Sequence, residues 1–552
     1  MTINIKNFVK TATRRQINNL DTLPTFDRSL VDYKSYSKVA GHAGVTNSMA
    51  VQATRGCPYR CFYCDVFKTT EHHFRRSVDS IYEEVKMIAG MGVKRIEFID
   101  DIFNVKKKDF IEFFRRVSRD KLNVSFFFPT ALKGDLLDKE AIDAMMEGGG
   151  VGINVSLESA SPRMQKVMKK GLNIEKFHEN MEYLCKRYPQ AVTGLNTMHG
   201  FPSETEDEAM LTLNFILSLK WIHFPYSHIV RIFPGTVLEK FALEHGVNQA
   251  AIDDSIDKSY HEITPTLPFK KEFTVMYRLK FLTEYILNKE RLLKVLPYQM
   301  KHFTESELNQ RYSSYFPYKV KSLRDVLKVA DLENDIEINC LKEEEISIKD
   351  INNQIRSKFP VKSKHPDAFK FLLINISTFF TSDRGTSEYD VLEPPLGLIA
   401  LQSYLDEKLG PLVKGKLIKS RVDFDSYEEL DEIIKKFKPD AIGVSAMTFH
   451  KDFFHEAIKD IRNRGYKKTI MVGGPYPTTS FEEVLEDKNI DICGIGEGEV
   501  TITEIIKKLI ISKGKKLDDI ELNEIDGIAY NKDNHSKSLI TQRIVKANII
   551  SK

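Results

Sequence analysis

The chain lacks the marks of a membrane or secreted protein. No apolar run approaches the roughly 18 residues that span a bilayer, and the opening MTINIKNFVKTATRRQ has no apolar stretch like that of a signal peptide. Because that opening is basic and free of acidic residues, an organelle transit peptide stays open as an alternative. Six cysteines in 552 residues do not make a secreted disulfide framework. We therefore expect a soluble, cytoplasmic protein.

An excess of one charge is lacking too. The 81 Lys and Arg residues nearly balance the 78 Asp and Glu residues, for a formal net charge of +3. That is too small to indicate nucleic acid or an anionic membrane as the main partner. Hydrophobic residues, by contrast, make up 42% of the chain, enough to bury a sizeable core and to exclude disorder as the main state. The length predicts several domains.

Half of the few cysteines stand together. Cys57, Cys61 and Cys64 lie in TRGCPYRCFYCDVF, after a predicted strand and in a segment with turn-forming Gly56 and Pro58. Such a loop can point several thiolates at one centre, and the spacing argues against packing residues or a redox pair. Four thiolates would complete a closed zinc or iron–sulfur site. A fourth cysteine is missing nearby, so the pattern predicts a metal centre with one open position.

The pattern CxxxCxxC with an aromatic residue, Tyr63, before the last cysteine resembles that of the radical S-adenosylmethionine (SAM) enzymes. The resemblance implies that Cys57, Cys61 and Cys64 hold a [4Fe–4S] cluster and that the methionyl amine and carboxylate of SAM chelate its fourth iron. It also implies sensitivity to oxygen and an electron donor of the flavodoxin or ferredoxin type.

Strand-like and helix-like segments alternate six times within residues 47–240. The predicted strands are 48–54, 95–100, 123–130, 152–159, 193–202 and 226–236, each followed by an amphipathic segment such as KKDFIEFFRRVSRD. Six βα units in series predict an α/β fold with a parallel sheet, curled into an open (βα)6 barrel. The family resemblance implies that this is the barrel of a radical SAM domain. In such a barrel the chemistry lies at the carboxyl ends of the strands, and the cysteine loop follows the first strand.

Polar residues at the other strand ends are candidates for SAM contacts. SLESAS, GFPSET and FPGT resemble stretches found there in the family, although its usual Gly-Gly-Glu after the second strand is replaced by Ile99-Asp100-Asp101. A helix N-cap is the alternative role for Asp100 and Asp101, a salt bridge for Glu158, and a core position for His199. No catalytic residue is identified. The predicted SAM-binding set is Tyr63, Asp100, Asp101, Ser156, Glu158 and Arg231.

The pattern changes after the barrel. Residues 241–350 have helical periodicity and no metal spacing, so they predict a helical cap that shapes the substrate pocket. Residues 351–368 are charged and poor in large apolar side chains, as in a linker. Five further βα units within 369–530 predict a doubly wound, flavodoxin- or Rossmann-like sheet, whose ligands bind beyond the carboxyl ends of the strands.

Small residues stand at those predicted strand ends. EPPLGLIALQSYL, KPDAIGVSAMT, VGGPYPTT and GIGEGEVT together resemble, in order, the cobalamin-binding domain of class B radical SAM enzymes. The DxHxxG motif whose histidine ligates cobalt in methionine-synthase-like domains is absent, and His450 and His455 are expected to be exposed or packing residues. The cobalamin contacts that the resemblance implies are Pro395, Leu396, Ser445, Thr448, Gly473, Gly474, Pro475, Gly496, Glu497 and Gly498.

The domain order is unusual for this class, which places the cobalamin domain first and a connector before the barrel. Here DGIAY (526–530) and a tail at 531–552 end the chain, while an N-terminal connector at 1–46 contains RRQINNLDTLPTF. The two ends look like halves of one connector. They predict a circularly permuted-like order with the cobalamin domain C-terminal.

The resemblance implies a cobalamin-dependent methyltransferase that acts on an unactivated carbon, or phosphorus, of a biosynthetic substrate through a 5′-deoxyadenosyl radical. Oxidation, rearrangement or cyclisation without methyl transfer stays open, as does a non-enzymatic corrinoid carrier. A methylthiotransferase would need a second cysteine triplet, but Cys185, Cys340 and Cys493 are dispersed. The sequence does not distinguish a small-molecule, peptide or carrier-bound substrate.

Overall fold

The computed structural model divides the chain into two compact units, each described by itself. The barrel unit comprises Ser37–Cys64 and His72–Ile351, and the C-terminal unit comprises Met1–Tyr36, Asp65–Glu71 and Asn352–Lys552. The described residues are 3–5, 8–36, 48–64, 66, 70, 72–233, 236–256, 258, 262–342, 351–377, 379, 393–512 and 521–531. Within these ranges, no helix combines the length and the apolar character that a membrane span requires.

The secondary structure alternates between strands and helices over most of both units. The strands are β1 Ile3–Ile5, β2 Phe8–Lys10, β3 Ser48–Val51, β4 Thr54–Arg55, β5 Phe74–Arg75, β6 Arg95–Phe98, β7 Ser125–Leu132, β8 Gly150–Glu158, β9 Val192–His199, β10 Phe224–Ile229, β11 Phe369–Asn375, β12 Val413–Lys419, β13 Ala441–Ser445, β14 Thr469–Gly473, β15 Ile492–Gly494 and β16 Ile528–Asn531. The helices are α1 Val78–Gly90, α2 Lys107–Arg119, α3 Lys139–Glu147, α4 Pro162–Met168, α5 Ile174–Arg187, α6 Glu206–Ser218, α7 Val237–Glu244, α8 Gln249–Ile256, α9 Lys271–Lys280, α10 Lys289–His302, α11 Glu305–Ser313, α12 Leu323–Val329, α13 Ile351–Lys358, α14 Leu396–Lys408, α15 Tyr427–Phe437, α16 Lys451–Asn463, α17 Pro475–Thr479, α18 Phe481–Val484 and α19 Glu499–Ile511.

Six parallel strands form the main sheet of the barrel unit, in the order β10-β9-β8-β7-β6-β3. Sequential strands are neighbours and helices lie between them along the chain, as in an open (βα)6 barrel, so the predicted fold class is confirmed. Several strand ends differ from the prediction, since β6, β9 and β10 end at Phe98, His199 and Ile229 rather than at residues 100, 202 and 236. Two further differences bear on the site. β3 ends at Val51 rather than at residue 54, and β7 continues past Pro129 to Leu132 through a register shift against β8, which is how a strand tolerates proline.

Phenylalanine side chains from β6, β7 and α2 fill much of the barrel core. The Phe98 ring stacks on Phe103 at 4.4 Å and on Phe128 at 5.6 Å, and Phe113 meets Phe98 edge-on at 5.6 Å. All four side chains are almost fully buried. Because Phe110, Phe113 and Phe114 recur at helical spacing, α2 packs this one face onto the sheet.

Helices α7 to α12 follow the barrel strands and cover the range in which the sequence predicts a cap. A π-helical turn, Phe281–Ile286, joins α9 to the segment before α10. The buried Arg291 of α10 donates hydrogen bonds to the carbonyl oxygens of Ile222 (2.8 Å) and His223, next to β10. That helices α7 to α12 close over a substrate pocket stays a prediction.

The segment predicted as a linker, 351–368, begins with helix α13.

The C-terminal unit contains a flavodoxin-like sheet. Its five parallel strands run in the order β12-β11-β13-β14-β15, so the chain direction across the sheet reverses around β11, the point where such folds bind ligands. Alternate residues of β11 face opposite cores: Leu372 and Ile374 pack with α15 and α16, while Phe371 and Leu373 pack with α14 and α19. The predicted doubly wound sheet is confirmed.

The two ends of the chain meet on this sheet. β16 pairs antiparallel with β15, β2 with β16, and β1 with β2. Arg14 then forms an ion pair with Glu504 on α19 and donates to the Asp526 carbonyl oxygen at 3.1 Å. The structure thus joins the two segments whose sequences look like halves of one connector. The predicted tail after Asn531 lies outside the described residues.

Candidate active site and cofactor sites

The cysteine loop, residues 56–64, begins at the carboxyl side of β3 in the barrel unit. The short strand β4 pairs with β5 just before it, Gly56 takes φ +76°, and the Cys64 N–H donates to the Cys61 carbonyl oxygen at 3.1 Å. Cys57, Cys61 and Cys64 are half-buried and form no disulfide. The loop therefore presents three thiols where a (βα) barrel carries its chemistry.

Two carboxylates after β6 hold the start of this loop. Asp100 Oδ1 accepts hydrogen bonds from the Ala53 N–H (3.0 Å), the Thr54 N–H and the Thr54 hydroxyl (2.6 Å). Asp101 Oδ2 accepts from the Gly56 N–H at 3.0 Å. Burial raises the pKa of Asp100 to about 7, against the opposing effect of the Thr54 hydrogen bonds. Both residues thus position the loop backbone, and a SAM contact from either stays a prediction.

The far end of the loop packs on the barrel. The Phe62 N–H donates to the Met168 carbonyl oxygen at 3.1 Å, and the Phe62 side chain joins a buried cluster with Met164, Met168 and Phe201. The Tyr63 ring meets the Phe201 ring edge-on, with centroids 5.9 Å apart. This packing turns Tyr63 toward the carboxyl end of β8.

Tyr63 and Glu158, two of the predicted SAM residues, come together with a lysine that the sequence did not reveal. The Tyr63 hydroxyl donates to Glu158 Oε1 at 3.3 Å, and Lys170 Nζ lies 2.7 Å from the same oxygen. Glu158 ends β8 with φ +64°, a left-handed conformation that is uncommon for a side chain other than glycine and that concentrates at functional sites. The pair offers one cation and one carboxylate beside the cysteine loop.

Two of the three thiols, those of Cys57 and Cys61, have a raised pKa in the cofactor-free protein. Burial raises the pKa of Cys57, while a hydrogen bond from the Tyr59 N–H opposes it. Burial likewise raises the pKa of Cys61, and the positive charge of Lys170 opposes it. Binding a metal centre therefore releases protons from these thiols.

The three thiols of the loop are the donor set that an iron–sulfur cluster with one open position requires. Within the described ranges, no three His, Cys, Asp or Glu side chains converge closely enough to hold one metal ion. Three cysteines around a [4Fe–4S] cluster bind three separate irons, so their sulfurs stand farther apart than the ligands of one ion. Three thiols on a nine-residue loop, with cationic Lys170 nearby, fit that arrangement.

The remaining predicted SAM residues lie at the ends of β8 to β10. Ser156 Oγ accepts from Asn196 Nδ2 at 3.5 Å. Arg231 is buried; burial lowers the pKa of His228 to about 4, and the Arg231 charge adds to the effect. His199 is buried as expected of a core position, with Nδ1 at 3.1 Å from Ser227 Oγ. Ser156 and Arg231 thus lie toward the carboxyl ends of β8 and β10, and a SAM contact from either stays a prediction.

Glu204 is a further buried acid that the sequence did not single out. Its Oε2 accepts from the Gly200 N–H (2.6 Å) and the Phe201 N–H (3.3 Å), which fixes the turn between β9 and α6. Burial raises the pKa of Glu204 to about 8, against these two hydrogen bonds. The sequence signal for Glu204 is its position in GFPSET, one of the segments that resemble stretches found at strand ends in the family.

In the C-terminal unit, small residues line the carboxyl edge of the central strands. Ser445 of β13 pairs in register with Gly473 of β14. Gly474 takes φ +97°, and a Cβ there would overlap the Ser445 hydroxyl, whereas a Cβ on Gly473 would meet open space. This edge has the low profile that a broad, flat cofactor needs for close approach to the backbone.

The other predicted cobalamin contacts flank this edge. The Gly496 N–H donates to Thr478 Oγ1 at 3.2 Å, and Glu497 Oε2 accepts from the Ile17 N–H at 3.2 Å. Gly498 precedes the first residue of α19. Pro395 is the N-cap residue of α14 and Leu396 its first residue. Pro475 starts α17, and Thr448 begins the turn that leads into α16.

The two histidines after β13, His450 and His455, do not offer an exposed, unengaged ring nitrogen to a cobalt ion. His455 uses both ring nitrogens, Nδ1 with Asp487 Oδ2 at 2.8 Å and Nε2 with the Tyr476 hydroxyl at 3.0 Å. His450 is buried, and burial lowers its pKa to about 4. Both behave as packing residues, in line with the absent DxHxxG motif.

Comparison with known families fits both units. The Radical SAM superfamily model matches residues 51–216, and the B12 binding domain model matches residues 386–506. The chain therefore carries a radical SAM domain followed by a B12-binding domain. The predicted order, with the B12-binding domain C-terminal, is confirmed. A radical SAM domain implies a [4Fe–4S] cluster and SAM as cofactors, and a B12-binding domain implies cobalamin.

The relatives match parts of the chain. An uncharacterized methyltransferase of Pyrococcus horikoshii is 28% identical over 236 residues, 42% of this chain and 49% of that protein. A tRNA-2-methylthio-N(6)-dimethylallyladenosine synthase of Methylacidiphilum infernorum is 23% identical over 264 residues, 44% of this chain and 53% of that protein. The chain spans about half the length of these curated relatives.

Two solved structures are similar in part. The radical SAM methyltransferase TsrM from Kitasatospora setae has a TM-score of 0.33 at 20% identity and covers 36% of this chain and 39% of its own. The cobalamin-dependent SAM radical enzyme OxsB has a TM-score of 0.31 at 14% identity and covers 57% of this chain and 54% of its own.

Proposed function

We propose that this protein is a methyltransferase that transfers a methyl group to an unactivated carbon, or phosphorus, of a biosynthetic substrate through a 5′-deoxyadenosyl radical. The observation that carries the proposal is the union, in one chain, of a radical SAM domain with its cysteine triplet and a B12-binding domain. The methyltransferase relative in Pyrococcus horikoshii supports the choice of reaction.

The barrel residues then have assigned tasks. When bound, the cluster and SAM supply the radical that takes a hydrogen atom from the substrate, and cobalamin supplies the methyl group. Cys57, Cys61 and Cys64 hold the cluster as thiolates. Glu158 and Lys170, side by side at 2.7 Å, offer opposite charges to the amino-acid end of SAM, and the Tyr63 hydroxyl fixes Glu158.

The remaining predicted SAM residues have positioning and polar tasks in this proposal. Asp100 and Asp101 keep the start of the cysteine loop in place through the Thr54 and Gly56 N–H groups. Ser156 and Arg231 supply polar groups farther along the same edge of the barrel, where they would complete the SAM pocket.

The C-terminal edge would hold the corrin ring. Gly473 and Gly474 would let the ring approach the backbone, and Ser445 would offer a hydroxyl beside them. The flanking contacts are those implied by the family resemblance, namely Pro395, Leu396, Thr448, Pro475, Gly496, Glu497 and Gly498. A flavodoxin- or ferredoxin-type donor and a cytoplasmic location are expected on the resemblance alone.

Methylthio transfer is the function of several relatives, and the cysteine inventory speaks against it here. Apart from the triplet, the chain has Cys185 on α5, Cys340 after α12 and Cys493 on β15. Cys185 and Cys493 are buried, one in each unit. Because Cys185, Cys340 and Cys493 lie far apart in the sequence, they do not form a second triplet for another cluster.

The test is product analysis with SAM whose methyl group is deuterated. Anaerobically reconstituted protein, hydroxocobalamin, a reductant and candidate substrates are incubated, and products are examined by mass spectrometry. A product that carries the labelled methyl group, together with S-adenosylhomocysteine, supports the proposal. Deoxyadenosine and an altered substrate without the label would replace it by a rearrangement or oxidation.

A further inference from the structure

A buried lysine stands against the middle of the cysteine loop. Lys133 follows the last residue of β7 and is 7% exposed. Its Nζ donates to Asp135 Oδ1 (2.9 Å) and Oδ2 (3.0 Å) and to the Gly171 carbonyl oxygen (2.9 Å). The Lys133 backbone is pinned as well, because the buried Asn104 side chain accepts from its N–H at 3.0 Å and donates to its carbonyl oxygen at 2.9 Å. The ammonium group is therefore held at one position.

That position faces an aromatic ring of the loop. Lys133 Nζ lies 4.8 Å from the centroid of the Tyr59 ring, a cation–π distance. Tyr59 lies between Cys57 and Cys61, and its N–H hydrogen-bonds the Cys57 thiol. A contact on Tyr59 therefore acts on the segment that spaces two of the three cluster ligands.

Two further contacts hold the loop on either side of this segment. Asp101 binds the Gly56 N–H before it, and the Met168 carbonyl oxygen binds the Phe62 N–H after it. Lys133 contacts the middle. Its ammonium group, paired with Asp135, also places a positive charge beside this part of the loop.

We propose that Lys133 is a positioning residue for the iron–sulfur cluster: by binding the face of Tyr59 it fixes the segment between Cys57 and Cys61, and by its charge it makes the bound cluster easier to reduce. The Lys133 ammonium offsets the negative charge of its partner Asp135. Without it the unpaired carboxylate would disfavour the reduced, more negative cluster, so the reduction potential would fall. The inference rests on the proposed ligation of the cluster by the three cysteines, whereas the effect on the loop does not need the cluster.

Four variants separate the two effects. Lys133→Met removes the charge and keeps the chain length, and Lys133→Arg keeps a cation that can stack on the ring. Tyr59→Leu removes the ring and leaves the charge. Lys139→Met is the matched control, because Lys139 makes a similar contact with the Tyr183 ring, at 5.4 Å, between α3 and α5.

The first readout is hydrogen–deuterium exchange of residues 59–61 in the cofactor-free full chain, and the second is the midpoint potential of the reconstituted cluster by EPR-monitored titration. Lys133→Met is expected to raise the exchange rate about five-fold and to shift the potential to more negative values. Lys133→Arg and Lys139→Met are both expected to keep the exchange rate and the midpoint potential at their wild-type values. Tyr59→Leu raises the exchange rate and changes the potential less than Lys133→Met.

Unchanged exchange and unchanged potential in Lys133→Met would overturn the proposal. If that variant does not fold, Tyr59→Leu decides: exchange at the wild-type rate overturns the proposal, and faster exchange with a wild-type rate in Lys133→Arg upholds it. Failure of the wild-type chain to take up a cluster would instead contradict the proposed function, and the exchange comparison would still decide whether Lys133 holds the loop.

Discussion

Replacing Asp100 by Ala removes the acceptor of three hydrogen bonds and is expected to loosen the start of the cysteine loop. The Thr54 hydroxyl keeps a second partner, the Ile102 carbonyl oxygen at 3.1 Å. The Ala53 and Thr54 N–H groups lose theirs inside a buried site. An orphaned buried donor costs about 1–3 kcal/mol, so Asp100→Ala is expected to lower the free energy of unfolding of the barrel unit by about 2–5 kcal/mol.

Asp100→Asn separates the hydrogen bonds from the charge. The amide oxygen still accepts from the loop, so this variant is expected to cost no more than about 1 kcal/mol. It also removes a titration. Because the pKa of Asp100 rises from the ordinary 3.8 to about 7 on folding, the folded protein binds the proton more tightly than the unfolded chain. Wild-type stability therefore falls as pH rises from about 4 to about 7, by about 2–3 kcal/mol between pH 5 and pH 8.

The assay uses the single tryptophan of the chain. Trp221 lies in the barrel unit, so its fluorescence during urea unfolding reports on that unit alone. Wild type, Asp100→Ala and Asp100→Asn are compared at pH 5 and pH 8. An Asp100→Ala variant within about 1 kcal/mol of wild type would refute the role of Asp100 in holding the loop. Equal pH dependence in wild type and Asp100→Asn would refute the raised pKa.

Two further substitutions test the neighbouring sites. Lys170→Met removes the cationic partner of the buried Glu158 carboxylate and is expected to destabilise the barrel unit by about 3 kcal/mol. Adding Glu158→Gln is expected to recover this stability, and urea unfolding followed by Trp221 fluorescence measures both variants. Lys170→Met is also expected to weaken SAM binding, which calorimetry measures. Gly474→Ala forces φ +97° on a side chain that would overlap Ser445, whereas Gly465→Ala has φ +98° but open space. Absorbance titration with hydroxocobalamin is expected to show at least about ten-fold weaker binding for Gly474→Ala only, because about 1.4 kcal/mol of distortion suffices for that factor; equal affinities would contradict the assigned edge.

The fold was largely predictable because hydrophobic periodicity and strand–helix alternation recur in both units. The strand ends were not. β3 was predicted to reach residue 54, but the Ala53 and Thr54 N–H groups bind Asp100 instead of continuing the strand. β7 was predicted to end near Pro129, whereas a register shift carries it to Leu132. Both differences come from tertiary contacts that local patterns do not encode.

These end positions decided which site residues could be found. Tyr63 and Glu158 lie at predicted strand or loop ends and do meet. Lys133 follows the true end of β7, so placing that end at residue 130 hid it from a search of strand ends. Lys170 reaches Glu158 because Lys169 takes φ +54° and turns the chain after α4. A left-handed lysine at a helix end leaves little trace in the sequence.

The most direct test of radical SAM chemistry is the formation of 5′-deoxyadenosine from SAM under anaerobic, reducing conditions. Wild-type protein and a Cys340→Ala control, whose cysteine lies outside the loop, are predicted to form it. Cys61→Ala is predicted to form none and to lack the broad absorbance near ~400 nm of a thiolate-ligated cluster. Equal 5′-deoxyadenosine from wild type and Cys61→Ala, or none from wild type with a loaded cluster, would contradict the assignment of the loop as the radical SAM centre.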